Sequence, residues 1–239
     1  MNENTVKSAG VLGASLLLGL AALGYLLGDA ALTVKGLERS VLVKGLSERE
    51  VPANIAIWPT TFQVASNDLN ELFDSIQQKN AQIIDFLKLQ GIEQDEITTA
   101  PPAVLDLYAQ NYGNTEQIKF RYSASSTITV YSENIPAVRN AMSNAIDLGK
   151  QGIALSGQDY RNQTQFVFSG LSDLKPEMIE EATKNARSVA EKFAADSASR
   201  LGKIKSAQQG QFSIEDRDAT TPHVKKVRVV STVEYYLSD

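Results

Sequence analysis

The feature that most constrains this chain is a long apolar run near its N-terminus. Between Ala9 and Leu32 the only charged residue is Asp29. About 20 helical residues, each rising ~1.5 Å, cross a hydrocarbon core ~30 Å thick. A helix in the core of a soluble protein has a polar stripe, and this run has none. The run therefore predicts one membrane-spanning helix that contacts the lipid bilayer through residues 9–32.

Two interpretations of this run stay open, a retained anchor and a cleaved signal peptide ending at the small-x-small sequence of residues 28–30. The run is longer than the ~7–15 residues of a typical signal-peptide core, and Lys7 is the only basic residue before it. Both observations favour the anchor. Orientation is also open. Lys35 and Arg39 follow the run, so counting positive charges places the next domain in the cytoplasm, yet long domains translocate largely regardless of flanking charge.

Small residues recur at four-residue spacing within the run. Such spacing lets two helix backbones approach closely in lipid, where packing drives association. The candidates for helix association are Gly13, Gly19, Gly24 and Gly28. The alternative is that glycine and alanine are simply frequent in membrane helices.

Composition excludes several classes of function. The net charge is -5, and lysines and arginines are interleaved with acids, whereas a nucleic-acid binder clusters its basic residues. The absence of cysteine removes disulfides, thiolate zinc sites and cysteine nucleophiles. A hydrophobic fraction of 43% is enough for a packed core.

Periodicity after the apolar run predicts strands and three helices. The expected strands are Ser40–Lys44, Asn54–Ser66, Ile97–Tyr108, Ile118–Tyr131, Gly152–Ser156, Gln163–Phe168, Ile204–Phe212 and Val224–Leu237. The expected helices run from a cap at Asn67 or Asp68 to Gly91, over Ile135–Leu148, and over Pro176–Leu201. Pro59 predicts a bulge or an edge within its strand.

The apolar residues of each helix predict its buried side. The first helix would bury Leu69, Leu72, Phe73, Ile76, Ile83, Ile84 and Leu87. The second would bury Val138, Met142, Ala145, Ile146 and Leu148, and the third an alanine-rich stripe of Met178, Ala182, Ala186, Val189, Phe193 and Leu201. Alanine permits close approach of the third helix to a sheet.

The order of elements predicts an α+β fold. Residues 55–153 read strand–helix–strand–strand–helix–strand, which resembles a split βαβ unit. Paired strands between helices favour antiparallel or mixed sheets with the three helices packed on them. We expect residues 1–33 to be a short cytoplasmic tail and a transmembrane helix. Residues 34–239 would form one extracytoplasmic domain, either a single unit or two lobes that share their sheets.

No motif predicts an active site, a metal site or a cofactor site. His223 is the only histidine and is expected to be a solvated loop residue. Ser172 and Lys175 have a Ser-x-x-Lys spacing, but Ser172 or Asp173 is better explained as a helix cap. Three sets of acidic residues lack the arrangement for shared protons or calcium and are read as solvated charge: Asp95 with Glu96, Glu180 with Glu181, and Asp216 with Asp218.

Aromatic residues cluster around the expected hairpin. Tyr112, in the polar tip between the two arms, is the candidate for contact with a partner. Tyr108, Phe120 and Tyr122 are assigned to packing, as are Tyr235 and Tyr236.

The ordered succession of segments resembles the SIMPL domain family. The likeness covers about Val41 to Leu237, with four segments as its evidence: Leu87–Thr99 (LKLQGIEQDEITT), Arg121–Gly149 (RYSASSTITVYSENIPAVRNAMSNAIDLG), the Ala-rich Ser169–Gly210, and the alternating Val227–Leu237. Arg121 departs from the family, in which a glycine often precedes the tyrosine.

The resemblance implies an exported or envelope-associated bacterial protein with a loose link to stress tolerance. It supplies no catalytic residue, and some members form large ring-like or cage-like homo-oligomers. Our expectation is a non-enzymatic, single-pass protein of the inner membrane, without a cofactor, whose domain faces the periplasm or cell exterior and forms a homo-oligomer with itself as partner. The alternative is an envelope module that binds a lipid or a small apolar ligand.

Overall fold

The computed structural model describes residues 3–36, 39–110, 118–156 and 163–238. The helices are α1 (Glu3–Gly36), α2 (Leu69–Leu89), α3 (Leu107–Gln110), α4 (Ile135–Asn144), α5 (Ile146–Lys150) and α6 (Leu171–Asp196), with a 3-10 turn at Gln94–Glu96. The strands are β1 (Ser40–Pro52), β2 (Ile55–Ser66), β3 (Ile97–Thr99), β4 (Ala103–Asp106), β5 (Tyr122–Ser132), β6 (Gln165–Val167), β7 (Arg200–Gln209), β8 (Ser213–Asp216) and β9 (Val224–Ser238). The predicted α+β class is confirmed: an apolar N-terminal helix precedes two antiparallel sheets with packed helices.

The apolar run forms a single helix whose side chains are exposed all round. Gly10–Thr33 is apolar and long enough to cross a membrane, at about 36 Å for 24 residues. Two of its hydroxyl side chains bond within the helix: Ser15 Oγ donates to Leu12 O at 3.0 Å and Thr33 Oγ1 donates to Asp29 O at 2.8 Å. Internal bonding of this kind suits a segment without access to water.

The chain divides into two compact units. The first contains residues 1–48, 175–212 and 228–239, and the second contains residues 49–174 and 213–227. The four-stranded sheet has the order β1-β9-β7, with β8 also paired to β9. In the first unit, α6 covers β1 through alanines, and Val43, Ala186, Ala190, Val233 and Tyr235 form its buried cluster.

Contact between α6 and β1 is as close as the alanine stripe predicts, and a glycine makes it closer. A Cβ added to Gly45 would lie 1.9 Å from Ala182 O and 2.4 Å from Ala186 N. The residues that α6 buries are Met178, Ala182, Ala186, Ala190 and Ala194, at a regular spacing of four. Val189 and Phe193 are exposed, so their assignment to this stripe was wrong. Large side chains there would hold the helix away from the sheet.

The bounds of α6 also differ from the prediction. The helix begins at Leu171, so Pro176 lies inside it and Ser172 and Asp173 belong to its first turn rather than capping it. It ends at Asp196 because Ala198 adopts a left-handed φ of 52°, and Ser199 N donates to Ala194 O at 2.8 Å. Gly202, which directly follows the predicted end of this helix, lies in β7.

The second unit contains a five-stranded sheet. Its order is β3-β5-β2-β6, with β4 also paired to β5, and every pairing is antiparallel. Even-numbered residues of β2 and β5, such as Phe62, Ile128 and Val130, face the core, on which α2 and α4 pack. The predicted hairpin pairing is confirmed, except that its first arm is two strands, β3 and β4. Pro101 and Pro102 separate these strands because neither has an N–H to donate.

Pro59 occupies β2 without a bulge. The register between β2 and β5 is continuous from Ala56 to Ser66. Thr61 O accepts from Ser156 N at 2.7 Å, so the backbone groups of odd-numbered residues point away from β5. The missing N–H of Pro59 therefore removes no bond to β5. The predicted strand at residues 152–156 is reduced to one bridge, between Leu155 and Phe62.

Helix α2 starts at the predicted cap. Asp68 Oδ1 accepts from the backbone N–H groups of Asn70 and Glu71 at 2.8 and 3.0 Å. Glu71 does not return to Asp68 N; it accepts from the hydroxyl of Ser66, which itself accepts from Asp68 N. Gly91 follows the helix with a φ of 87°, as predicted.

Three residues predicted to be buried on α2 and α4 are exposed. Leu69 and Phe73 lie at the margin of the buried face of α2, where Phe86 joins the core instead. The predicted second helix divides into α4 and α5 at Ala145, and Ile146, the first residue of α5, is 70% exposed.

Candidate functional site

A cleft of about 400 Å³ lies on the outer face of the sheet of the second unit. A volume of this size is in the range of small-molecule sites. The residues that line it are Gln63, Ala103, Val104, Leu105, Ser123, Ala124 and Ser125. We call it the serine cleft.

The strand register explains why a depression forms here. Ser125 lies opposite Gln63 on one side and Ala103 on the other, and Ser123 lies opposite Ala65 and Leu105. Each of these two cross-strand rows has a serine of β5 at its centre and an alanine on one side. The larger side chains, Gln63 in one row and Leu105 in the other, project at opposite sides of the cleft. The floor of the cleft is a patch of sheet without bulky side chains.

The polar groups in the serine cleft are available to a ligand. The side chains of Gln63, Ser123 and Ser125 form no hydrogen bond with any residue in the described part of the chain. No charged side chain lines the cleft, and Val104 and Leu105 supply apolar contact area. This arrangement favours an uncharged ligand with both polar and apolar parts.

Arg121 links the end of β4 to the start of β5, two of the strands that form the serine cleft. It donates from Nε and Nη2 to Asp106 at 3.2 and 3.0 Å, and its guanidinium lies 4.9 Å from the ring centre of Tyr122. The hydrogen bond from Arg121 lowers the pKa of Asp106, and that from Asp106 raises the pKa of Arg121. Its backbone N–H donates to Asn67 Oδ1 at 2.8 Å. The residue that departs from the family pattern therefore joins β4, β5 and the start of α2.

Sequence reasoning missed the serine cleft, although a signal was present. The even-numbered residues of β5 from Tyr122 to Val130 face the core of the second unit. The opposite face carries a hydroxyl at every position: Ser123, Ser125, Thr127, Thr129 and Tyr131. An uninterrupted row of hydroxyls on a strand indicates a face that is not packed in an apolar core.

The structure separates the residues that sequence reasoning singled out. Gly13, Gly19, Gly24 and Gly28 lie along α1, and nothing within 4 Å would meet a Cβ added at any of them. At about 100° per residue, Gly13, Gly24 and Gly28 fall within about 60° of one another, while Gly19 faces another side. Tyr112 lies outside the described residues.

Several aromatic residues assigned to packing are exposed. Tyr108 and Phe120 are 43% and 38% exposed, so their assignment was wrong. Tyr122 packs against the core of the second unit and Tyr235 is buried in the first, as predicted. Tyr236 is half-buried, and Lys205 Nζ lies 5.9 Å from its ring centre.

His223 lies in the turn before β9, as predicted, but it is only partly exposed to solvent. It is half-buried, its ring meets the ring of Phe166 edge-on at 6.0 Å, and its carbonyl accepts from Ala53 N at 2.8 Å. Burial, followed by the charges of Arg139 and Arg217, lowers the pKa of His223. The residue therefore has a defined environment.

The predicted acidic sets are engaged in local contacts. Glu180 pairs with Lys184 at 2.5 Å on α6, and Asp216 pairs with Lys225. Glu96 accepts from Glu93 N at 2.8 Å in the 3-10 turn. Ser172 and Lys175 are exposed on the first turns of α6. Among the described residues, no three acidic or histidine side chains converge to hold a metal ion.

Comparison with known proteins gives the family. No curated protein sequence matches the chain. One family description, SIMPL, "Protein of unknown function (DUF541)", matches residues 41–235. The match starts in β1 and ends in β9, so it takes in both sheets and every helix after α1. Over this range the chain belongs to the SIMPL family.

Proposed function

We propose that this chain is a non-catalytic, single-pass protein of the bacterial inner membrane whose exported SIMPL domain assembles with copies of itself into a ring or cage. Helix α1 supports the anchor, and family membership supports the envelope location. The lack of a nucleophile–base pair in the sequence supports a non-catalytic role. A role in stress tolerance rests on the family resemblance. Self-assembly is carried by one observation, a long edge strand with two exposed leucines.

That edge is β1. The strand lies at the end of its sheet order and is 13 residues long. Leu42 and Leu46 project from its outward face and are 64% and 42% exposed. A long edge with exposed leucines is a template for pairing with another strand, which proteins otherwise avoid.

The opposite edge of the sheet carries the usual protections. Strand β7 has register shifts between Leu201 and Ile204 and between Ile204 and Ser206. Lys203 and Lys205 lie in the same stretch. Bulges and lysines are the devices by which edge strands resist pairing. Strand β1 also carries a lysine, Lys44, between its two exposed leucines. We therefore infer the difference between the edges from the register shifts of β7, and take β1 as the open edge and β7 as the blocked edge.

Pairing of β1 with β1 of a second copy is an isologous contact, which closes after two copies. A larger assembly needs a second contact, and the face of α1 that carries Gly13, Gly24 and Gly28 is suited to supply it. Each glycine in a helix costs ~1 kcal/mol relative to alanine, which close helix packing in lipid offsets.

The experiment is the absolute mass of the full chain in mild detergent, measured by light scattering. We expect one defined size above that of a monomer. Leu42→Lys combined with Leu46→Lys should reduce it by removing the β1 contact. Ile204→Lys is the matched control, since Ile204 is 51% exposed on the blocked edge and should leave the size unchanged. The proposal would be refuted if the wild-type chain were a monomer both in detergent and in crosslinked membranes.

A second candidate function rests on the serine cleft. The side chains of Gln63, Ser123 and Ser125, which form no hydrogen bond among the described residues, support a binding module for a small uncharged ligand. This class of ligand is narrower than the lipid or small apolar ligand expected from the sequence. Ser125→Leu would fill the floor of the cleft, while Ser188→Leu changes an exposed serine on α6. Mass spectrometry of solvent extracts should find a ligand with the wild type and Ser188→Leu but not with Ser125→Leu. An empty wild-type protein counts against this function.

A further inference from the structure

A second, smaller cleft lies in the same unit, between α4, β6 and the turn before β9. Its volume is about 180 Å³, and the residues that line it are Arg139, Met142, Ser143, Phe166, Thr220, Pro222 and His223. We call it the histidine cleft. Because one water takes about 30 Å³ of liquid, the cleft has room for a small organic ion.

Asp218 fixes the turn that forms one wall. Its Oδ1 accepts from the backbone N–H groups of Thr220 and Thr221, each at 2.8 Å, and from the Thr220 hydroxyl at 2.6 Å. Arg217 Nε donates to Oδ2 at 3.0 Å. These hydrogen bonds, of which those from the two threonines have the largest effect, hold the pKa of Asp218 well below its usual range. The carboxylate is charged, but its oxygens are occupied within the turn.

One positive charge lies beside the cleft, on the side chain of Arg139. Arg139, exposed on α4, forms no ion pair with any residue that the structure describes. The other charges that act on His223 are those of Arg217 and Asp218. Arg217 is already paired, with Asp218 at 3.0 Å and with Glu50 at 3.5 Å. The charge of Arg139 is therefore left for a ligand.

The remaining walls are apolar. Phe166 is 7% exposed, and its ring meets His223 edge-on with an interplanar angle of 66°. Met142 and Pro222, both half-buried, complete the lining. An imidazole that shares a cleft with a guanidinium and contacts an aromatic ring can donate to an oxygen of a ligand while the rest of the ligand contacts carbon.

We propose that the histidine cleft binds the carboxylate of a small organic acid with a short apolar body. Arg139 donates to the carboxylate, protonated His223 adds a second charged donor, and Met142 and Phe166 contact the apolar body. Bound carboxylate favours the protonated imidazole and so raises the pKa of His223. Binding consequently tightens as pH falls through that value and weakens as pH rises.

The only histidine of the chain is in the cleft, which makes it a selective reporter. The probe is butyrate, added to the full chain in detergent while the imidazole resonances are followed by NMR from about pH 5 to pH 8. We expect the resonance to move saturably and its titration midpoint to rise. Acetate and inorganic phosphate should bind more weakly, since neither has an apolar body. Phosphate binding as tightly as butyrate would overturn the assignment to a carboxylate.

Arg139→Gln should weaken butyrate binding by at least about tenfold, the loss of one charge-assisted hydrogen bond. Arg187→Gln is the matched control, because it removes the same charge from an exposed helical arginine paired with Glu191. His223→Gln should remove the pH dependence, read from the resonances of the ligand. An imidazole resonance that does not shift when butyrate is added would refute the site. Equal affinities of Arg139→Gln and wild type for butyrate would refute it as well.

Discussion

Among single residues, Thr60 is the side chain with the clearest unused polar group. It is 4% exposed in β2, and its hydroxyl finds no hydrogen-bond partner among the described residues. Leaving a buried hydroxyl unbonded costs about 1–3 kcal/mol, whereas valine has the same shape without that cost. We expect Thr60→Val to raise the free energy of unfolding by about 1 kcal/mol, measured by urea denaturation of the full chain in detergent.

The neighbouring residue gives the control. Thr61 has the same chemistry on the other face of β2, but its hydroxyl is bonded to that of Thr127 at 2.9 Å. Thr61→Val should lower the free energy of unfolding by about 1 kcal/mol. A destabilising Thr60→Val would show that its hydroxyl has a partner in solution.

Residue identities could be predicted from the sequence where the local rule is strong. The cap at Asp68 and the left-handed Gly91 follow from chemistry that acts over three or four residues. The environment of His223 could not be predicted, because Phe166 and Arg139 reach it only through the tertiary fold. For the same reason the serine cleft, built by register across three strands, was missed.

At the scale of elements, the packing of α6 on β1 depends on Gly45. A Cβ there would overlap the backbone of the helix at Ala182 and Ala186. No rotation of a side chain relieves this overlap, so the helix must move away from the strand. We expect Gly45→Ala to lower the free energy of unfolding by about 3 kcal/mol or more, toward the upper end for overpacked cores. Thermal unfolding followed by circular dichroism measures the change.

Gly149 supplies the comparison for that substitution. It lies in α5, and an added Cβ would meet nothing within 4 Å. Gly149→Ala should therefore be neutral or stabilise by about 0.5–1 kcal/mol, because alanine restricts the unfolded chain. Equal losses at both glycines would contradict the close contact of α6 with β1.

Element types followed from periodicity better than element ends did. The spacing of four in α6 identified Met178, Ala182 and Ala186, but it did not distinguish Ala190 and Ala194 from the larger Val189 and Phe193 beside them. Hydrophobicity favours the larger residues, and the short distance to β1 selects the smaller ones. That distance is set by Gly45, over a hundred residues earlier in the chain.

For the whole molecule, the open question is which side of the membrane holds the SIMPL domain. Flanking charges favour the cytoplasm, but long domains cross largely regardless of them. We expect a reporter that works only outside the cytoplasm to be active when fused after Asp239, with the chain at full length in the membrane fraction. A shorter, soluble product would indicate cleavage of the apolar helix.

The control for this topology prediction is a pair of substitutions in the predicted membrane-spanning segment. Leu20→Arg with Leu23→Arg places two charges near the middle of Gly10–Thr33, each costing about 2.5–3.5 kcal/mol at a bilayer centre. The reporter should then be inactive, while Leu46→Arg, which adds one charge outside the span, should leave it active. Activity of a cytoplasmic reporter alone in the wild type would overturn the envelope location. The β1 edge and both clefts would then meet cytoplasmic partners, although their geometry would be unchanged.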